Sequence, residues 1–151
     1  MKRILMVCLG NICRSPLAAG ILRKKIAEAG KNVMVESAGF EPYHVGERPD
    51  RRAITVARKN GVDISGHHAR LFSVDDFDNF DMIYVMDQRN YRDVTFVARD
   101  ENDKNKIDYI LNLIHKFKNQ TVPDPYYGNE SDFELTYQLL ESACDKIVAK
   151  L

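Results

Sequence analysis

Cys8 and Arg14 are separated by five residues, Leu9-Gly10-Asn11-Ile12-Cys13, and are followed by Ser15-Pro16. That spacing lets a short loop curl around one tetrahedral oxyanion. Gly10 and Asn11 tolerate the unusual backbone angles that turn amides inward. With the amino end of a helix opening at Ser15-Pro16, those amides make a concave nest for a dianion. Arg14 adds a planar fork that pairs bidentately with phosphate oxygens. Helix-terminal amides and a nearby cation both favour a thiolate over a thiol. One loop would then supply a nucleophile at Cys8, hold the substrate and stabilise the charge that develops during reaction. No Gly-Lys-Ser/Thr follows, so this is not a nucleotide-binding loop. A lone cysteine is most often a core residue. Here Cys, Gly, Asn, Arg, Ser and Pro occur in order between a strand and a helix, and that context outweighs the simpler reading.

The loop needs a strand before it and a helix after it. Ile4 to Val7 is a continuous apolar run, as in a central strand covered on both faces. Ser15 suits a helix N-cap and Pro16 the first turn. Leu17, Ile21, Leu22 and Ile26 give that helix an apolar face, and Gly30 can end it. Val33 to Val35 reads as a second strand, followed by a loop from Gly39 to Pro49. Asp50 to Asn60 reads as a helix stopped by Gly61, and Ser73 with Asp76 as the cap of a short one. A third strand is expected over Met82 to Met86, a helix over Gln88 to Ala98 and a fourth strand over Ile107 to Leu111. Arg99 to Lys106 is almost wholly polar and reads as a solvated loop. Ser131-Asp132-Phe133-Glu134 reads as a capping box opening a last helix. Its stripe runs Phe133, Tyr137, Leu140, Cys144, Ile147, Leu151. Alternation of this kind predicts an α/β fold with a four-stranded parallel sheet, helices on both faces and a ligand beyond the carboxyl ends of the strands.

The chain of 151 residues fits one doubly wound domain, 1–151, with 44% hydrophobic and 29% charged residues. Its 22 basic and 22 acidic residues balance, so no polybasic footprint points to nucleic acid or membrane. No apolar stretch approaches the roughly 18 residues of a spanning helix. The run Ile4 to Leu9 is too short for a signal-peptide core, so a cytoplasmic protein is expected. The three cysteines are an odd set without CxxC spacing, unlike a disulfide framework or a zinc site. Adjacent His67 and His68 do not suit chelation of one ion. Neither metal nor cofactor is expected.

Two motifs carry a resemblance: Val7-Cys8-Leu9-Gly10-Asn11-Ile12-Cys13-Arg14-Ser15-Pro16, and Asp124-Pro125-Tyr126-Tyr127-Gly128-Asn129 with Ser131-Asp132-Phe133. With Glu36-Ser37-Ala38-Gly39, Val45-Gly46, Pro49-Asp50 and Met86-Asp87, the chain resembles the low-molecular-weight protein tyrosine phosphatases along nearly its whole length. The resemblance implies sheet order 2-1-3-4 and hydrolysis of phosphotyrosine in proteins or peptides through a phosphocysteine, with phosphate or similar oxyanions as product or inhibitor. Cys8 would be the nucleophile, Arg14 the phosphate clamp and Asp124 the general acid. Ser15 would hydrogen-bond the Cys8 thiolate. Gly10, Ile12 and Cys13 would belong to the phosphate loop, whose conformation Asn11 would hold with support from Ser37 and His67. Leu9, Tyr43, Tyr126 and Tyr127 would line the slot for the substrate ring. The acid makes independent chemical sense, because a phenol with a pKa of about 10 leaves poorly unless protonated as its bond breaks.

Three other readings fit less well. An arsenate reductase on this scaffold would need further cysteines, and Met82 to Asp93 contains none. Protein-arginine phosphatases of the same superfamily tend to carry Thr where Ile12 stands and to lack the Tyr126-Tyr127 pair. A phosphotyrosine-binding module could dispense with Cys8 and Asp124, and both are present.

Cys13 lies in the same curled loop as Cys8, and relatives with this pair use it as a redox partner. Mild peroxide is expected to inactivate the protein and dithiothreitol to restore it, with peptide mapping finding Cys8 joined to Cys13. Recovery of Cys13→Ser as complete as that of the parent would remove Cys13 from this role.

Overall fold

In a computed structural model that describes residues 1–151, the run Ile4–Val7 lies between two apolar layers. It belongs to β1 (Lys2–Val7), whose successive side chains point to opposite faces. Ile4 and Met6 enter one layer, Leu5 and Val7 the other, and none is more than 1% exposed. Two-sided burial is why the run is continuous rather than alternating. β1 pairs with β2 (Val33–Ala38) on one side and β3 (Met82–Val85) on the other, and β3 pairs with β4 (Ile107–Tyr109). All pairs are parallel and the order is β2-β1-β3-β4, as expected. Val7 stands opposite both Ala38 and Val85, so three strands end level. Cys8, Gly39 and Met86 therefore leave the sheet along one edge.

Helices cover both faces. α1 (Arg14–Glu28), α2 (Arg51–Lys59) and the long α6 (Glu130–Ala149) pack in the larger layer through Leu17, Ile21, Ala53, Val56, Phe133 and Leu140. α3 (Asp76–Asn79) and α4 (Gln88–Val97) cover the other face through Phe77 and Val94. α5 (Glu101–Lys104) leads into β4. Cys144 is fully buried in the α6 stripe, which reaches Ile147, while Leu151 is partly exposed at the end.

Five expectations about elements are corrected. Ser15 is not the N-cap of α1; Cys13 holds that position without a side-chain cap, because the Ser15 hydroxyl is engaged beneath the phosphate loop. The capping box of α6 is Asn129 with Asp132, two residues before the expected one; its reciprocal bonds measure 3.2 and 2.8 Å. The segment from Arg99 to Lys106 is not a plain loop. Asp100 caps α5, and the buried Asp103 carboxylate pairs with Arg99 at 2.8 Å, so the charges satisfy one another locally. β4 ends at Tyr109 and passes into a 3-10 turn over Ile110–Leu113. At α3, Ser73 makes only part of the expected cap: its N–H donates to Asp76 at 2.9 Å, and Asp75 is the formal N-cap.

Gly20 sits where α1 crosses the segment after α2. A Cβ there would lie 2.5 Å from Cγ2 of buried Ile64 and 3.1 Å from Cγ1 of Val62. Gly20→Ala is expected to lower stability by about 1–2 kcal/mol, the overpacking outweighing alanine's better helix propensity. Urea unfolding with a lower midpoint and an unchanged slope checks this; an unchanged midpoint contradicts it.

Candidate active site

The phosphate loop spans Cys8 to Arg14 between β1 and α1. Four of its carbonyls have partners. Leu9 O accepts from the N–H groups of Phe40 and Glu41, at 2.8 and 3.1 Å. Asn11 O lies 3.1 Å from His67 Nε2, Ile12 O accepts from Asp50 N at 2.8 Å, and Cys13 O from Leu17 N at 3.2 Å. A trans peptide sets the next N–H opposite each carbonyl. The amides of Gly10, Ile12, Cys13 and Arg14 are thereby turned to the inside of the loop. Gly39 makes the close approach of β2 possible: a Cβ there would stand 2.7 Å from Leu9 O and 2.9 Å from Asn11 Cβ.

Asn11 is the hub. Its φ of 57° is left-handed, which asparagine adopts more readily than most residues. Its side-chain amide is fully used. Nδ2 donates to Ser15 Oγ at 2.8 Å and to Ser37 Oγ at 2.9 Å; Oδ1 accepts from Arg70 N at 3.0 Å and faces His67 Nε2 at 3.2 Å. Two donors and two acceptors complete the inventory of an amide. Both oxygens near His67 Nε2 are acceptors, so that nitrogen carries the proton. Ser15 Oγ receives the Asn11 bond, which leaves its own hydrogen free for Cys8 Sγ, 3.0 Å away. Asn11 N–H also donates to that sulfur, at 3.3 Å.

Arg14 is 2% exposed, and its guanidinium is held in place before any ligand arrives. Nη1 donates to Asp87 Oδ2 at 2.8 Å and to Val122 O at 2.9 Å; Nη2 lies 3.7 Å from Asp124 Oδ2. Burial alone would weaken its hold on its proton. The negative charge of a Cys8 thiolate, then of Asp124 and Asp87, reverses that and raises it above the ordinary arginine value. Cys13 is opposite in kind. Burial first, then the charges of Asp50, Cys8 and Asp124, push its thiol up, so it rests protonated.

Asp124 comes from a distant segment, after a strap anchored by Val122 N–H on Met86 O at 2.8 Å. It starts a 3-10 turn over Pro125–Tyr127, and its Oδ1 accepts from Tyr126 N at 3.1 Å. Cys8, Leu9, Gly10, Ile12, Cys13, Arg14, Asp124, Tyr126 and Tyr127 all line one pocket. Asn11, Ser15, Ser37 and His67 lie behind the loop. Tyr43 is 81% exposed and lies outside this lining. His44 and Glu41 line it as well, with His44 edge-on to Tyr43 and 6.2 Å from the Tyr126 ring. Proline at position 42 starts a 3-10 turn that turns Tyr43 outward. Sequence reasoning missed Glu41 and the bond that Arg14 donates to Asp87. Only for Asp87 was there a signal, its place directly after a strand at the binding edge.

A thiol on the floor of an oxyanion cradle, with a carboxyl group across the mouth and a parallel α/β frame behind, defines a cysteine-dependent phosphatase. The family model described as low molecular weight phosphotyrosine protein phosphatase matches residues 3–151. The mouse protein of that name is 40% identical over 152 residues, covering 99% of this chain and 95% of its own. A protein tyrosine phosphatase from Entamoeba histolytica, solved with Hepes in the active site, superposes with a TM-score of 0.93 at 35% identity, covering 99% of this chain and 96% of its own. Vibrio vulnificus Wzb in complex with benzylphosphonate gives 0.88 at 31%, with 99% of both chains covered. The chain belongs to the low molecular weight phosphotyrosine protein phosphatase family. Members of this family are tyrosine phosphatases that use a cysteine nucleophile and need no metal.

His67 gives the site a pH limit. Burial pushes its imidazole below the ordinary 6.5, ahead of the opposing bond to Asn11. The unfolded chain therefore binds more protons, and the contribution is full above 6.5 and lost as pH falls through the lower, folded value. Stability of the parent is expected to decline on acidification below about 6.5. His67→Gln should flatten that part of the profile; an unchanged profile in urea titrations contradicts this.

Proposed function

We propose that this chain hydrolyses phosphotyrosine in proteins or peptides through a phosphocysteine on Cys8. The single observation that carries the reading is Cys8 Sγ at the floor of the pocket, 3.0 Å from Ser15 Oγ and 3.3 Å from Asn11 N, with Asp124 and Tyr126 in the walls. The Cys8 thiolate attacks phosphorus as the bond to the phenolic oxygen breaks, and the Asp124 carboxyl delivers a proton to that oxygen. Water then attacks the phosphocysteine and gives a proton to the Asp124 carboxylate. The S–P bond breaks, inorganic phosphate leaves, and the thiolate returns to the Ser15 hydroxyl. Arg14 and the loop amides take up the charge on the equatorial oxygens throughout. Asn11, Ser37 and His67 keep those amides aimed.

Phosphotyrosine fits because the phosphate must reach a floor lined by Cys8 while the ring lies between His44, Tyr126 and Leu9. The Vibrio relative's benzylphosphonate carries the same pairing of aryl group and oxyanion. Phosphate and similar oxyanions would compete as product or inhibitor. Cys13 is the redox partner we propose: peroxide converts the Cys8 thiolate to sulfenic acid, and the Cys13 thiol condenses with it, releasing water. We take residues 1–151 as one phosphatase domain, acting in the cytoplasm, where the Cys8 nucleophile stays reduced. No helix is long and apolar enough to cross a membrane.

The test is turnover on matched phosphotyrosine, phosphoserine and phosphoarginine peptides, with Cys8→Ser as control. Only the phosphotyrosine peptide is expected to be turned over efficiently. Cys8→Ser should abolish turnover and still bind phosphate. Comparable efficiency on phosphoserine, or residual turnover by Cys8→Ser, would reject the reading. Asp124→Ala should slow esters of poor leaving groups by roughly 10²–10⁴-fold and good ones far less.

A further inference from the structure

Between the phosphate loop and the acid turn lies a side chain that the reaction itself does not touch. Arg52 stands in the first turn of α2 and uses its guanidinium on three sides. Nε and Nη2 donate to the Asp50 carboxylate at 3.1 and 3.0 Å. Nη2 also donates to Tyr126 O at 2.7 Å, and Nη1 to Gly128 O at 3.0 Å. The guanidinium carbon sits 4.5 Å from the centre of the Phe133 ring and 5.9 Å from that of Tyr126. A long cation near the surface ordinarily samples many rotamers; this one is fixed as a planar fork. Lysine, a point charge, could not reproduce it.

The bonds form a line from the phosphate loop to the acid turn. Asp50 N–H holds Ile12 O, in the phosphate loop, at 2.8 Å. The Asp50 carboxylate holds Arg52, and Arg52 holds Tyr126 and Gly128. Tyr126 is thus gripped at its carbonyl by Arg52 and at its N–H by Asp124 Oδ1, 3.1 Å away. That residue of backbone holds Oδ1 of the Asp124 carboxyl, while Oδ2 lies 3.7 Å from Arg14 Nη2. We infer that Arg52 is a positioning residue that fixes the Asp124 carboxyl relative to the phosphate loop, so that its proton reaches the leaving oxygen. The inference rests on the phosphatase reading above. A general acid works only within hydrogen-bond reach of its target, and small misplacement is costly.

A purely structural arginine would, on removal, slow every substrate alike. A positioning arginine slows those that need the proton. The experiment measures kcat/KM for phenyl phosphate and p-nitrophenyl phosphate in the parent, Asp124→Ala, Arg52→Gln, Arg52→Lys and the double variant Asp124→Ala/Arg52→Gln. Arg52→Gln is expected to lose roughly 10-fold or more on phenyl phosphate and several-fold less on p-nitrophenyl phosphate, with inhibition by inorganic phosphate changed by less than about threefold. Arg52→Lys should show the same split. On phenyl phosphate the double variant should be no slower than Asp124→Ala alone, because there is no acid left to aim. Equal slowing of both esters, or a full further loss in the Asp124→Ala background, overturns the inference. If Arg52→Gln melts below the assay temperature, the split in Arg52→Lys decides. Absence of any split in Asp124→Ala overturns the acid assignment first, and this inference with it.

Discussion

A peptide plane cannot offer its N–H and its C=O to the same side. A loop that turns amides toward a dianion must therefore turn carbonyls toward protein. In this molecule three neighbouring segments answer that demand. The segment after β2 takes Leu9 O, the segment before α3 supplies His67 for Asn11 O, and the start of α2 takes Ile12 O. An unanswered buried carbonyl would cost about 1–3 kcal/mol. The left-handed Asn11 is affordable only because its side chain is bound at four points.

The parallel sheet supplies the other half of the arrangement. Its strands end level, so loops from three of them converge without long excursions. The acid turn is contributed from outside that edge. It is tied in by Val122 to the end of β3, by the Thr136 hydroxyl donating to Pro123 O at 3.3 Å, and by Arg52. Nucleophile and acid thus belong to a single framework although 116 positions separate them.

What the sequence made legible was whatever is local. Ile4–Val7 was readable as a doubly buried strand because every residue in it is apolar. The phosphate loop was readable because its chemistry lies within eight consecutive residues. Two helix starts were misplaced where competing signals overlap: Asn129-x-x-Asp132 and Ser131-x-x-Glu134 both read as boxes, and the Ser15 hydroxyl serves sulfur rather than backbone. Asp87 and Arg52 act across 73 to 76 positions of chain, and no spacing rule reaches that far. Tyr43 and His44 are neighbours, and only the 3-10 turn at Pro42 decides which of them faces the pocket.

The bracing of the acid turn has a consequence for small-molecule ligands. An acid turn already tied down by Arg52, Val122 and Thr136 leaves an entering compound less backbone to order. Its affinity is then governed by thickness and planarity, by the match between a flat aryl group and the gap from His44 to Tyr126, and by how well its oxyanion fills the cradle. Rigid aryl phosphonates are favoured over flexible chains of the same charge. Slow release would then be a matter of contacts made at the floor.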